Sequence, residues 1–311
     1  MRIDDKKSNT EFSAQDISSN DNPPQHIPVL LDASLRLMSP KSNDRYLDLT
    51  AGLGGHARAF LSSTGSYKTA CLVDRDSSAI ASLNDLAKMG TRLIHSDFLQ
   101  AINQLKQEQQ TFDLIMVDLG VSSPQLDKPE RGFSFMRDGP LDMRMDQTSS
   151  LTAAEFINSS SHEQLVHVIV EYGEEPIARA RRYAKAIGEA RPLSSTAQLA
   201  KIIADAHVGG WQRIHPATRT FQAIRIAINQ ELSQIEAALP ILPSLLNSGG
   251  RLGIISFHSL EDRLVKQFFN DQAKSGYEAE LAIVTKKPIS GTEDVHNLRA
   301  RSAKLRVAVK K

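Results

Sequence analysis

The feature that most constrains this chain is a decapeptide, Leu47-Asp-Leu-Thr-Ala-Gly-Leu-Gly-Gly-His56, in which a short apolar run breaks into Gly52, Gly54 and Gly55. Glycine tolerates positive φ and lets a ligand lie directly on the main chain. A strand that turns through glycines into a helix commonly holds a nucleotide-like ligand. Taken alone, the same turn is also an ordinary structural device.

The next apolar runs add weight. Ala70-Cys-Leu-Val73 stops at Asp74, Arg92–Ser96 stops at Asp97-Phe98, and Leu114-Ile-Met-Val117 stops at Asp118-Leu-Gly120. Asp74 lies 20 positions after Gly54, where a carboxylate can accept hydrogen bonds from ribose hydroxyls. One acid at a strand end is often a helix cap. Four such ends in series point to a ligand along the carboxyl edge of an open parallel sheet.

Length and composition set the bounds. A chain of 311 residues with 41% hydrophobic content suits a globular protein of one large domain or two smaller ones. The net charge of +1 does not by itself announce nucleic acid, but no acid follows Asp294, while Arg299, Arg301, Lys304, Arg306, Lys310 and Lys311 do. That run reads either as a solvated tail or as an electrostatic footprint. The single cysteine, Cys71, rules out an internal disulfide and suits a reducing, cytoplasmic setting. No apolar run approaches the roughly 20 residues of a membrane span. Residues 1–25 are polar, lack a signal-peptide core, and read as a disordered leader.

The pattern predicts an α/β fold: a parallel sheet with strand–helix alternation from Tyr46 to Gly120 and helices at His56–Leu61, Ser77–Ala87 and Leu99–Gln107. Residues 121–150 show no clear strand or helix. Three capping-box spacings follow, Thr152/Glu155, Ser161/Gln164 and Ser195/Gln198, and a basic helix carries Arg179, Arg181, Arg182 and Lys185. A solvated face explains that helix as well as a phosphate-binding one does. His215-Pro216 opens another helix, Gly249-Gly250 closes the helical stretch, and strands return at Arg251–Phe257, Leu281–Thr285 and Leu305–Val309. The reading is a sheet domain at 26–124 and 213–311, interrupted by a helical substrate-recognition insertion at 125–212.

Two ligand classes use such a sheet, dinucleotides and S-adenosylmethionine. The spacing Gly52-Leu-Gly54-Gly55 lacks the third, spaced glycine of dinucleotide sites, and Asp97-Phe98 suits an adenine; both favour the methyl donor. The fourth strand end continues as Val121-Ser-Ser-Pro-Gln125, which resembles the Ser-Pro loops of enzymes that methylate exocyclic amines. Such an amine is not basic, so acceptors must hold it in line with the methyl group. Backbone carbonyls and the hydroxyls of Ser122 and Ser123 suit that task, although Ser and Pro are also plain turn residues. Cys71 lies inside an apolar run, so the covalent route of carbon-5 methylation lacks its nucleophile. His162-Glu163 and His167 have the wrong spacing for a zinc helix, and no metal site is expected. His258 sits at a strand end, either beside a helix capped by Ser259 or in contact with substrate. Arg131–Asp146 mixes aromatics, Met, Arg and Asp, as a lid or as a surface for unpaired bases.

Long segments of the chain resemble the bacterial family of small-subunit (16S) ribosomal RNA cytosine-N4 methyltransferases. They are His26–Leu31, Gly54-Gly55-His56, Asp74-Arg-Asp76, Asp118–Asp127, Arg131–Asp146, His215–Gln222, Ser256–Arg263 and Arg299–Arg306. The resemblance implies a class I S-adenosylmethionine-dependent, Rossmann-like fold, with the donor on Gly54, Gly55, His56, Asp74, Phe98, Asp118 and Gln125. It implies direct methyl transfer to N4 of a cytosine in the decoding centre of the small ribosomal subunit. Asp118, Ser122 and Ser123 are the candidate catalytic residues. Arg131, Arg137, Arg179, Arg181, Arg182, His258, Arg299 and Arg301 are the candidates for RNA. Other base amines, a protein amide, or a non-catalytic ribosome assembly factor are the competing readings. The sequence leaves a homodimer open.

Overall fold

The computed structural model describes residues 28–210, 214–295 and 297–311. The leader expected at 1–25 lies outside them. Eight strands form one sheet: β1 (Tyr46–Asp48), β2 (Cys71–Asp74), β3 (Arg92–His95), β4 (Phe112–Asp118), β5 (Leu246–Ser256), β6 (Leu281–Ile283), β7 (Ile289–Ser290) and β8 (Lys304–Lys310). The order is β3-β2-β1-β4-β5-β8-β6, with β7 also paired to β8. The first five are parallel, and β8 runs antiparallel between β5 and β6. The expected parallel α/β sheet is therefore present, with an antiparallel strand closing one side.

Its central strands are apolar on both faces because helices cover both faces. Ile115 and Val117 of β4 join one core, with Leu105, Ile235 and Phe269. Leu114 and Met116 point the other way, into a core with Phe60, Leu61 and Leu305. That is the period-two alternation of a strand. The helix foreseen at Ser77–Ala87 is split into Ser77–Ser82 and Asn84–Lys88, and β5 begins at Leu246 rather than Arg251. Gly249, at φ +78°, sits in β5 beside a register irregularity between Phe112 and Leu114. The Gly-Gly pair is thus a bulge within the strand, not a boundary before it.

The chain between β4 and β5, as far as Asn229, builds a separate helical core, and the helix Glu231–Ala238 returns to the sheet core. All three foreseen capping boxes form, at the starts of the helices Ala153–Ser159, His162–Glu171 and Thr196–Ala206. The core also takes in Phe133, Leu141, Met143 and Met145 from the stretch that looked irregular, and Phe221, Ile224 and Ile228 from the helix Ala217–Asn229. The helix Ala217–Asn229, beyond the expected 125–212 span, thus packs on this helical core. Helix Ala217–Asn229 carries an apolar stripe that fits either domain, and its partners decide. Within the irregular stretch, Ser123–Asp127 is a short helix.

A buried ion pair joins the two cores. Arg131 donates to Asp76 Oδ2 at 2.7 Å and to the carbonyls of Arg144 and Met145. Both residues are buried. Removing one member of such a pair leaves the other as an uncompensated buried charge, at about 3–5 kcal/mol. Arg131→Met is expected to lower stability by that amount, read as a fall in the urea midpoint. A shift no larger than that of the exposed Arg137→Met counts against the latch.

Candidate active site

The carboxyl ends of β1, β2, β4 and β5 open on a single cleft. It is lined by the turn from Asp48 to Gly55, by His56, Asp74, Asp76 and Phe98, by Asp118–Leu126, and by Arg225, Phe257 and Arg299. Gly52 and Gly54 have φ of +53° and +83°, so the strand leaves β1 through left-handed backbone before the helix Gly55–Thr64 begins. A β-carbon on Gly55 would meet the Pro28 ring at 2.4 Å. Glycine there lets the chain near Pro28 close over the turn.

Two acids brace this turn. Asp74 accepts from Gly52 N at 2.7 Å and from Asp76 N at 2.8 Å, and burial raises its pKa above the usual carboxylate range. Asp76 caps the helix Ser77–Ser82 through Ser78 N and also receives Gln125 Nε2 at 3.1 Å. Burial works against its charge, yet hydrogen bonds from Ser78, Arg131 and Gln125 hold its pKa below the usual value.

The end of β4 carries the most strained electrostatics. Asp118 N donates to Thr50 Oγ1 at 2.6 Å, and Asp118 Oδ2 lies 3.6 Å from His56 Nε2. Burial, together with the charges of Asp48 and Glu261, pushes the Asp118 pKa well up. Its Oδ1 is buried with no hydrogen-bond partner. Asp48 accepts from Tyr46 Oη at 2.9 Å and from Thr50 N at 3.1 Å, and burial lifts its pKa to about 7.

The cleft therefore gathers Gly55, His56, Asp74, Phe98, Asp118, Ser122, Ser123 and Gln125, with Gly54 shaping the turn beneath them. Gln125 is fixed on both sides, by Asp76 and by Ser122 N at 3.0 Å. Asp97 is spent as the cap of helix Phe98–Gln107, accepting from Gln100 N, and does not line the cleft. Cys71 is buried in β2 with its thiol pushed up to about 12 by burial, which leaves it inert.

Of the residues expected to meet RNA, Arg131 is buried on Asp76 and faces no solvent. His258, and not Ser259, is the cap of helix Ser259–Lys274, and its Nε2 turns inward to Glu261 Oε1 at 3.2 Å. The aromatic and basic composition of their segments hid these tertiary partners. Arg181 and Arg182 lie exposed on helix Ile177–Glu189, whose buried side is Ala180, Tyr183, Ala184 and Ile187. Arg179 pairs with Glu175 at 2.8 Å, and Arg137 and Arg301 are exposed. Arg299 lines the cleft and pairs with Asp127 at 2.5 Å. Arg225 and Phe257 are among the cleft residues that the sequence reading did not single out. Arg225 forks its Nε and Nη2 onto Glu231 at 2.9 and 2.8 Å. Phe257 looked like strand core.

The model of the MraW methylase family matches residues 24–311. The chain belongs to that family. Three curated relatives share the name "Ribosomal RNA small subunit methyltransferase H". The protein from Acidobacterium capsulatum is 45% identical over 92% of this chain and 99% of its own length. That from Cyanothece sp. is 47% identical over 91% and 94%. That from Acinetobacter baumannii is 45% identical over 91% and 97%. The fold is that of a class I methyltransferase, and S-adenosylmethionine is the methyl donor of this family member. The residues present fit it: the orphaned Asp118 Oδ1 offers a buried acceptor to a cationic donor molecule, and Asp74 and Phe98 suit a ribose and a flat ring.

Asp48 gives the site a pH signature. Its folded pKa, about 7, stands above its value of 3.8 when unfolded, so between those values the folded state binds the extra proton. Stability falls as pH rises through that window. From pH 4 to pH 8 this group costs at most about 4 kcal/mol. Asp48→Asn, which keeps an acceptor for Thr50 N, is expected to flatten that part of the pH–stability curve in urea titrations. An unchanged slope between pH 4 and 8 contradicts the assignment.

Proposed function

We propose that this methyltransferase acts in the cytoplasm on the N4 exocyclic amine of a cytosine in the decoding centre (P-site region) of 16S ribosomal RNA, in the small ribosomal subunit. The transfer is direct, without a covalent enzyme–base intermediate. The observation that carries the reading is one cleft in which the donor-side residues Asp74 and Phe98 and the loop Asp118–Gln125 face the same space. The name shared by the relatives supports the substrate. The inert Cys71 speaks for direct transfer.

S-adenosylmethionine supplies an electrophilic methyl group on a sulfonium. The chain has three tasks around it. Asp74 and the glycine turn hold the nucleoside part, and the acidic floor of Asp48, Asp74 and Asp118 favours a cationic ligand over a neutral one. Ser122, Ser123 and the backbone carbonyls beside them accept the hydrogens of the amine, so that its lone pair turns out of conjugation and faces the methyl group. Gln125, tied to Asp76, keeps that loop in register with the donor side. Outside the cleft, Arg137, Arg179, Arg181, Arg182, Arg299 and Arg301 serve as phosphate contacts, which position the RNA without reading its sequence.

Tritiated methyl transfer tests the reading. Label is expected at one cytosine of the small-subunit RNA, and label in protein, in DNA or in another base sinks it. Asp74→Ala loosens both the donor contact and the Gly52 turn. Its donor affinity, measured by calorimetry, is expected to fall by about 1.5–3 kcal/mol. Undiminished affinity contradicts the donor side as described.

A further inference from the structure

A base taken out of an RNA stack loses its neighbours, and enzymes that act on bases restore that loss with aromatic or apolar side chains. The loop Gly120–Gln125 contains no aromatic ring, and Gln125 is committed to Asp76. Among the described residues lining the cleft, the phenyl rings are those of Phe98 and Phe257. Phe98 follows β3 and Phe257 follows β5, four places apart in the sheet order. At about 4.8 Å per strand, those ends are roughly 19 Å apart. One ring cannot serve both a donor over β1 and β2 and an acceptor over β4 and β5.

Phe257 sits where an acceptor ring is needed. β4 and β5 are paired up to Asp118 and Ile255, and Leu119 N continues the ladder to Ile255 O at 2.9 Å. The acceptor loop therefore leaves the sheet directly beside Phe257. A β-carbon on Gly120 would stand 3.2 Å from Cδ2 of the Phe257 ring, so the loop backbone lies directly beside the ring and a side chain there would press on it. The ring is half-buried, with its remaining surface against the core of Leu305 and Val307. Its backbone is held rigidly: Glu261 Oε2 accepts from Phe257 N at 2.7 Å and from His258 N at 3.3 Å. The buried Glu261, opposite His258, gives the Ser256–Glu261 motif a positioning purpose that RNA contact by His258 did not explain.

We propose that Phe257 is the stacking platform for the target pyrimidine. The proposal rests on the reading of base-amine methylation above. Three proteins test it: wild type, Phe257→Leu, which keeps an apolar side chain without the ring, and Phe257→Tyr, which keeps the ring. Transfer efficiency to small-subunit particles is expected to fall about ten- to hundred-fold in the Leu variant and to stay within a few-fold of wild type in the Tyr variant. Calorimetry with S-adenosylmethionine is expected to give the same donor affinity for all three. Equal transfer by the Leu variant and wild type overturns the proposal. So does equal loss in the Leu and Tyr variants, or a Leu variant that also loses donor binding, because the ring is then a structural support. Wild-type protein that labels no RNA is a separate result: it sinks the base-methylation reading, and this inference with it.

Discussion

The structure turns on the carboxylate of Asp76. It caps the helix Ser77–Ser82, receives the guanidinium of Arg131, and receives the amide of Gln125. A buried carboxylate is costly to desolvate, and here three donors share that cost. They come from different segments: the helix after β2, the loop after β4, and the start of the β4–β5 crossover. Arg131 extends the connection to the carbonyls of Arg144 and Met145, whose neighbour Met145 N is held by Asn229 Oδ1 at 2.9 Å. Asn229 in turn ends the helix Ala217–Asn229. One charge thus ties the sheet edge, the acceptor loop and both ends of the insertion into a single hydrogen-bonded network.

The cleft floor carries three acids whose charge burial disfavours. Asp48, Asp74 and Asp118 all stand at strand ends, and burial raises the pKa of each. Burial is the first cause of each shift, so without a ligand these carboxyls are driven towards their neutral, protonated forms. A cation placed beside them favours their charged forms, which is the electrostatic link between these acids and a positively charged donor molecule.

Much of the site was legible because it rests on local rules. Strands that end in acids and a turn of glycines are read from neighbours in sequence, and so were three capping boxes that form as spaced. What failed were inferences about side chains with distant partners. Arg131 stands among aromatics and other arginines, which is also the composition of an RNA-binding loop, and only Asp76, 55 positions earlier, reveals it as a buried latch. The apolar stripe of Ala217–Asn229 fits a helix of either domain, and the facing residues of the insertion core settle where it packs. Phe257 reads as one more apolar residue at the end of a strand, because nothing local says that the ring borders an open cleft.

The position of the insertion follows from the same geometry. A parallel sheet requires a long crossover between β4 and β5, and the crossover starts with the acceptor loop and ends at the strand that carries Phe257. The helices of this connection pack into their own core, from which Met145 and Arg225 reach the lining of the cleft. Arg225 shows the consequence. It belongs to the helix that closes the insertion core, yet its guanidinium, steadied by Glu231, reaches the cleft wall. The helical core spliced into this crossover is therefore joined to the loop Gly120–Gln125 and to β5 by covalent connection, and the Asp76–Arg131 pair ties it to the end of β2.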